Sequence, residues 1–212
     1  MKRLATGTMS LKLGQPGAHA GALMNSTEEL VARVRAGDEE AFRLIFDRYS
    51  RPVLGFIYDM VGDRALAEDL AQETFVRAYR GLNGLREETK LSTWLFAIAK
   101  NCAREQLRSR RRNEGNVELD AEPAFELRDH GRTPSGTLLD KELSGVIQTA
   151  LMKLDEDKRT VFTLKVLQQR SYEEIAEITG FSVGKLKTDL HRARAEMRRR
   201  IGPYLGVSSN EM

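Results

Sequence analysis

The chain has 212 residues, 41% of them apolar, enough for one large domain or two small ones with real cores. Its net charge is only +3, but charge is segregated: seven basic residues meet two acidic ones from Lys185 to Arg200, and eight acidic meet three basic from Asn113 to Glu142. One cysteine, Cys102, excludes an intramolecular disulfide and a cysteine-based zinc site, and no apolar run reaches membrane-span length, so a cytoplasmic chain without membrane insertion is expected.

Residues 1–25 are Gly-, Ala- and polar-rich without periodicity and are expected to be a disordered extension, in which Met9 and Met24 offer later starts. A first helical domain is placed at 26–112. Ser26 or Thr27, followed by Glu28 and Glu29, opens it as a capping box, with Leu30, Val31 and Val34 at helical spacing. A second helix starts near Asp38 and is expected to pack Phe42, Ile45, Phe46, Tyr49, Val53, Phe56 and Ile57, with a kink at Pro52 and a stop at Gly62. Helices at Arg64 to Leu82 and Ser92 to Arg111 follow, joined by a polar loop from Asn83 to Leu91.

The stretch from Asp63 to Arg112 is the most informative. On a helix, Asp69, Gln72 and Glu73 fall on one face. Leu66, Leu70, Thr74, Ala78 and Ala71, Phe75, Tyr79 form the apolar stripe beside them. The next helix turns Trp94, Leu95, Ile98 and Cys102 inward, with Trp94 as a core anchor and Cys102 as a small core residue. Its end, Arg104 to Arg112, holds five arginines against one glutamate. One surface suits a protein partner and the other suits phosphates, while a merely solvated face is the plainer account of the acidic one.

From Asn113 to Gly136 the composition shifts to prolines, glycines and acids without an apolar period, which reads as a linker. A second helical domain spans 137–206, and 207–212 form a tail. No segment alternates like a strand, so the fold class is all-α: two small helical domains joined by a flexible linker, the C-terminal one with a helix-turn-helix. In that motif Ser171 caps a short helix with Glu174 at the box position, Ala176 is small at the helix crossing, and Gly180 makes the turn. Ile175, Ile178, Phe181, Leu186 and Leu190 line the apolar side. The second helix, from Ser182, is expected to present Val183, Lys185, Lys187, Thr188, His191 and Arg192 outward, as a major-groove recognition helix does.

Taken together, DRALAEDLAQETFVRAY, then STWLFAIAKN, a linker, and SYEEIAEITGFSVGKLKTDLHRARAEMR resemble bacterial RNA polymerase sigma factors of the extracytoplasmic-function group over about residues 27 to 204. The resemblance implies a subunit with regions 2 and 4 only, which binds core polymerase, recognises and melts the −10 promoter element, binds the −35 element and starts transcription. It implies that Leu66, Asp69, Leu70, Gln72, Glu73 and Phe75 form the core-polymerase surface, where charge complementarity contributes orientation and on-rate more than affinity. Leu85 to Thr93 resembles the loop that captures a base flipped from the −10 element. Arg86, Lys90, Ser92, Thr93, Lys100, Asn101, Arg104, Arg108, Arg110 and Arg111 are the −10 DNA contacts implied, and Ser182, Val183, Lys185, Lys187, Thr188, His191 and Arg192 the −35 contacts. An anti-sigma factor is an expected further partner. No cofactor or metal is expected. A linker of about 24 residues reaches at most roughly 80 Å and averages nearer 25–30 Å, so two heads can sit on separated promoter elements or fold on each other.

The chain departs from the family pattern at Leu154-Asp155, where Leu-Pro is frequent, at Lys185, near which Thr is frequent, and at Asp189, where a base is usual. Asp189 either faces phosphate, or pairs with Lys185 or Arg192 within helical reach. A repressor or response-regulator output domain shares the helix-turn-helix but leaves AEDLAQETF and STWLFAIAKN unexplained. An enzyme is a poor reading, since His19, His130 and His191 show no catalytic or ligand spacing and no phosphate-cradling glycine loop is present.

Overall fold

The structure, a computed structural model, describes residues 26–114 and 138–205. The expected extension at 1–25, most of the linker and the tail lie outside the described residues. Among those described, every regular element is helical.

Helix α1, Thr27–Arg35, is capped by Ser26 rather than Thr27: its hydroxyl accepts from the Glu29 N–H at 3.2 Å. Leu30 and Val31 anchor it in the core. Helix α2, Glu39–Val61, is capped by Asp38, whose Oδ1 accepts from the Ala41 N–H. The helix continues through Pro52, so that residue removes one donor without ending it. It stops at Gly62, whose φ of 75° is left-handed and whose N–H closes on the Tyr58 carbonyl at 2.8 Å. Ile45, Val53, Phe56 and Ile57 are buried as expected, but Phe46 is 41% exposed, its ring T-shaped to Phe75 at 4.8 Å.

Helix α3, Arg64–Gly81, is capped by Asp63 and buries Ala67, Thr74, Phe75 and Ala78. Tyr79, expected in the stripe, is 49% exposed; it sits a full turn beyond Phe75 and meets the Phe42 ring of α2 at 4.9 Å. The expected loop contains two short 3₁₀ turns, Leu82–Gly84 and Glu88–Lys90, and is tied back to α1 by Arg35, which donates to the Leu85 carbonyl and pairs with Glu88. Helix α4, Leu91–Glu114, runs two residues into the expected linker. Its buried positions are Leu91, Thr93, Leu95, Phe96, Ala99, Cys102 and Ala103, whereas Trp94 and Ile98 are half-buried. The buried arc is displaced because α4 packs on α2 and α3 along one side and on the C-terminal half along another.

The C-terminal half begins with α5, Leu138–Met152. Asp155 then caps α6, Glu156–Phe162, by accepting from the Lys158 N–H at 3.0 Å. That gives the departure at Leu154-Asp155 a local role, since an aspartate at this position satisfies a helix-end donor. A single π turn, Thr163–Leu167, follows, and then α7, Tyr172–Thr179, with the complete Ser171–Glu174 capping box. Gly180, at φ 76°, joins α7 to α8, Val183–Ile201.

The two halves are packed together, with buried side chains of both in one continuous core. The seam is built on the end of α2. Arg159 of α6 is buried and donates to three carbonyls: Met60 at 2.6 Å, Leu154 at 2.9 Å and Met152 at 3.2 Å. Gln148 of α5 donates to the Tyr58 carbonyl at 3.1 Å. Any Cβ on Gly62 would fall 2.7 Å from the Met152 sulfur, so glycine serves here both the left-handed turn and the close approach. Burial pushes the Arg159 guanidinium down from its ordinary value, a cost offset by the fork of carbonyl acceptors.

Arg159→Met keeps the bulk but leaves those carbonyls without their donor. It is expected to lower unfolding stability by about 2–4 kcal/mol. Arg159→Lys should not recover it, since one ammonium cannot span the fork. Urea melts of the three proteins provide the check.

Candidate partner and nucleic-acid surfaces

The six residues expected on the partner surface divide by polarity. Asp69, Gln72 and Glu73 are exposed on α3, with Glu73 paired to Arg77 at 2.7 Å. Leu66 and Leu70 are half-buried and Phe75 is only 4% exposed, so these three support the face from below. What composition did not reveal is an apolar flank. Val76 is 41% exposed and follows Gln72 by one turn, Tyr79 lies edge-on to Phe42 at 4.9 Å, and Phe46 of α2 stands next to them through Phe75. Helical spacing could have placed Val76 and Tyr79 beside Gln72; Phe46 needed the α2–α3 packing.

The ten residues expected at the −10 element lie on the turns before α4 and along α4 itself. Arg86, Asn101, Arg108 and Arg111 are exposed. The other six are engaged or shielded. Thr93 is 8% exposed. Arg110 pairs with Asp63 at 3.1 Å, where the Leu66 N–H, and then Arg110, hold the carboxyl below its ordinary value. Lys90 pairs with Glu177 of α7 at 3.1 Å, and Glu177, with Glu87, holds its ammonium above the ordinary value. The Ser92 hydroxyl accepts from Arg170 at 2.7 Å. Half-buried Lys100, pushed down by burial, donates to the Ile178 carbonyl at 2.8 Å. Arg104 pairs with Glu156 at 2.8 Å.

Beside these residues is an open pocket of about 240 Å³, lined by Leu85, Arg86, Lys90, Thr93, Trp94 and Glu177 among others. Trp94 is therefore not only a core anchor: one edge of its ring lies over Gly81, 3.4 Å from where a Cβ would stand, and the ring also forms a pocket wall. Cys102 is buried, and burial pushes its thiol up, consistent with a small core residue.

On α8, Ser182 uses its hydroxyl to cap the helix, accepting from the Lys185 N–H at 3.3 Å. Val183, Lys187, Thr188, His191 and Arg192 are exposed as expected. Lys185 is not. Its ammonium pairs with Asp157 of α6 at 2.9 Å and with Asp189, and lies 3.9 Å from the centre of the Phe181 ring. Asp189, only 13% exposed, thus takes the pairing alternative, with Lys185 and not Arg192 as its partner. Among the described residues no group of His, Cys, Asp and Glu could hold a metal ion, and no helix is long and apolar enough to cross a membrane.

Comparison with known proteins bears on these surfaces as a set. The Sigma-70 region 2 family model matches residues 45–113, and the Sigma-70 region 4 model matches 144–197. The RNA polymerase sigma-H factor of Pseudomonas aeruginosa is 35% identical over 183 residues, 84% of this chain and 95% of that protein. The ECF RNA polymerase sigma factor SigW of Bacillus subtilis is 35% identical over 179 residues, 81% of this chain and 94% of SigW. In fold, the chain is similar to the sigma factor RpoE solved with the anti-sigma factor NepR from Bartonella quintana, at a TM-score of 0.62 and 24% identity, covering 76% of this chain and 96% of RpoE. It is also similar to CnrH solved with the cytosolic domain of CnrY, at a TM-score of 0.60 and 22% identity, covering 82% and 96%. With both family regions matched in order, and a third of its residues shared with relatives over nearly their whole length, the chain belongs to the extracytoplasmic-function RNA polymerase sigma factors.

Proposed function

We propose that this sigma factor divides its work among three surfaces: α3 docks on core polymerase, the turns before α4 and α4 itself hold the melted −10 strand, and α8 reads the −35 duplex. The observation that carries the reading is the pocket between Leu85 and Trp94, walled by an indole and edged by Arg86 and Lys90, at the start of a helix rich in arginine. A flipped base needs an aromatic or apolar wall and nearby cations for its phosphates, and that combination is assembled here. The chain in this reading is a non-catalytic specificity subunit acting in the cytoplasm. Residues 26–112 and 137–206 serve as its two working units with 113–136 between them. RpoE of Bartonella quintana is captured with an anti-sigma factor. By analogy we assign this chain an anti-sigma partner of its own.

On α3, the acids set orientation and encounter rate, while Val76, Tyr79 and Phe46 supply the apolar contact that sets residence time. Replacing Asp69, Gln72 and Glu73 together by alanine is expected to slow association with core polymerase and flatten its salt dependence. Tyr79→Ala is expected to speed dissociation, by about tenfold for a loss of ~1.4 kcal/mol. Surface-plasmon traces on immobilised core enzyme separate the two, with helical content unchanged in both variants.

In holoenzyme, Arg108→Ala should weaken promoter binding to a similar degree across sequences, with a salt slope smaller by about one. Asp189→Ala should instead alter base preference at one or two −35 positions, because it removes one of the two carboxylates that hold the Lys185 ammonium and leaves Asp157 alone on it. Binding measured across a −35 library tests both, and a uniform gain for Asp189→Ala would reject the pairing role.

A further inference from the structure

The turns that frame the pocket beside Trp94 have little to fix their own shape. Neither Leu82–Gly84 nor Glu88–Lys90 has a side-chain cap, and between them Leu85, Arg86 and Glu87 line the pocket. The backbone closes each turn, the Leu85 N–H on the Leu82 carbonyl at 3.1 Å and the Lys90 N–H on the Glu87 carbonyl at 3.0 Å. Among the described residues, no backbone bond joins one turn to the other. Within the N-terminal half, that link comes from α1. The Arg35 guanidinium donates through one nitrogen to the Leu85 carbonyl and through another to the Glu88 carboxylate, so its fork spans the tip at Arg86 and Glu87.

Arg35 is itself well placed. It is the last residue of α1, where a cation suits the helix end. Two residues earlier, Arg33 pairs at 2.8 Å with Asp38, the cap of α2, which fixes the end of α1 to the next helix. The side chains of Arg35 and Glu88 are 30% and 34% exposed, and the Glu88 carboxyl is held below its ordinary value by its own backbone N–H and then by Arg35. An ion pair so open to water holds weakly by itself. The carbonyl bond makes the difference, because a planar fork that ties a main-chain acceptor and a carboxylate three residues apart fixes a geometry that neither bond fixes alone. Arg86, at the braced tip, stays exposed.

We propose that Arg35 is a positioning residue for base capture: without touching DNA, it holds Leu85 to Glu88 in the shape a flipped −10 base requires, and so sets how sharply that base is discriminated. The inference rests on the assignment of this pocket to a −10 base. A captured base is selected by the fit of its edges, and a wall that shifts lets wrong bases settle. A wall ordered in advance also spares the ordering cost when the base enters. Affinity for the strand as a whole comes from phosphate contacts made by other residues, so it does not depend on Arg35.

The test uses holoenzyme reconstituted from core polymerase and the full-length chain. Single-stranded −10 oligonucleotides of the non-template strand carry each base in turn at every position, and a second set carries 2-aminopurine, whose fluorescence rises on unstacking. The parent should favour one base at one position, where 2-aminopurine also brightens. Arg35→Ala should reduce that preference about tenfold and blunt the brightening, while affinity for random-sequence strand stays within about twofold. Arg35→Lys, which cannot span both acceptors, should fall between, and Glu88→Gln, which retains an acceptor, should keep most of the preference. Parental preference and brightening in Arg35→Ala would overturn the proposal, as would an equal loss of affinity for every sequence. Ala97→Phe, which adds a ring to the pocket wall, separates the two readings. If it abolishes a preference and brightening that Arg35→Ala leaves intact, the brace alone fails. If it leaves both unchanged, base capture in this pocket fails and the brace with it.

Discussion

The buried guanidinium of Arg159 organises the molecule. A helix as long as α2 ends with several carbonyls that its own backbone cannot satisfy, and burying such an end without donors is costly. Here the end is buried against another part of the chain, and the donors come from that part: Arg159 to Met60 and Gln148 to Tyr58. The same guanidinium also satisfies Met152 and Leu154, the carbonyls that end α5 and precede α6. One side chain therefore finishes two helices and aligns them. Once they are aligned, Gly62 meets Met152, α7 lies along α4, and the cations of α4 come within reach of the acids on α6 and α7.

That alignment gives the three working surfaces different accessibility. On α3, Asp69, Gln72 and Glu73 are open to solvent, as are Val183, Lys187, Thr188, His191 and Arg192 on α8, whereas Lys90, Ser92, Lys100 and Arg104 meet the C-terminal half and Arg86 and Arg108 stay open. Energetically these are different kinds of contact. The seam core is desolvated and hydrogen-bonded, whereas the peripheral ion pairs are half-exposed and sensitive to salt. A partner that competes for the periphery need not disrupt the core of either half.

The helices were legible in the sequence because their ends are written in local chemistry. Asp38, Asp63, Ser171 and Ser182 each cap the helix that follows, and Gly62 and Gly180 adopt the left-handed turns their positions suggested. Burial was less legible wherever a helix is covered on two sides. Trp94 and Ile98 follow the period of a helix with one buried face, but α4 has two, so its buried arc moved to Phe96 and Ala103. Phe46 and Tyr79 are apolar and periodic yet partly open, although each meets a ring across the α2–α3 contact; periodicity reports which residues share a face, not what covers it. On α8, the outward placement of Val183, Lys187, Thr188, His191 and Arg192 was legible from the helical period. Lys185 was not, because its second partner, Asp157, lies 28 residues away on another helix. Asp189 looked anomalous in its own helix and becomes ordinary once that cluster is seen.

Several acceptors in the seam are main-chain carbonyls: Tyr58, Met60, Ile178, Met152 and Leu154. A carbonyl persists whatever side chain its residue carries. The information these bonds carry is therefore held by the donors Gln148, Arg159 and Lys100, while their acceptors are free to drift. Alanine scanning of Tyr58 or Ile178 would leave the bond in place and overlook it. Across these bonds paired substitution is not required to keep the halves matched, so evolutionary coupling there should be one-sided, marked by constancy in the three donors, whereas the side-chain pairs Lys90–Glu177 and Arg104–Glu156 should co-vary.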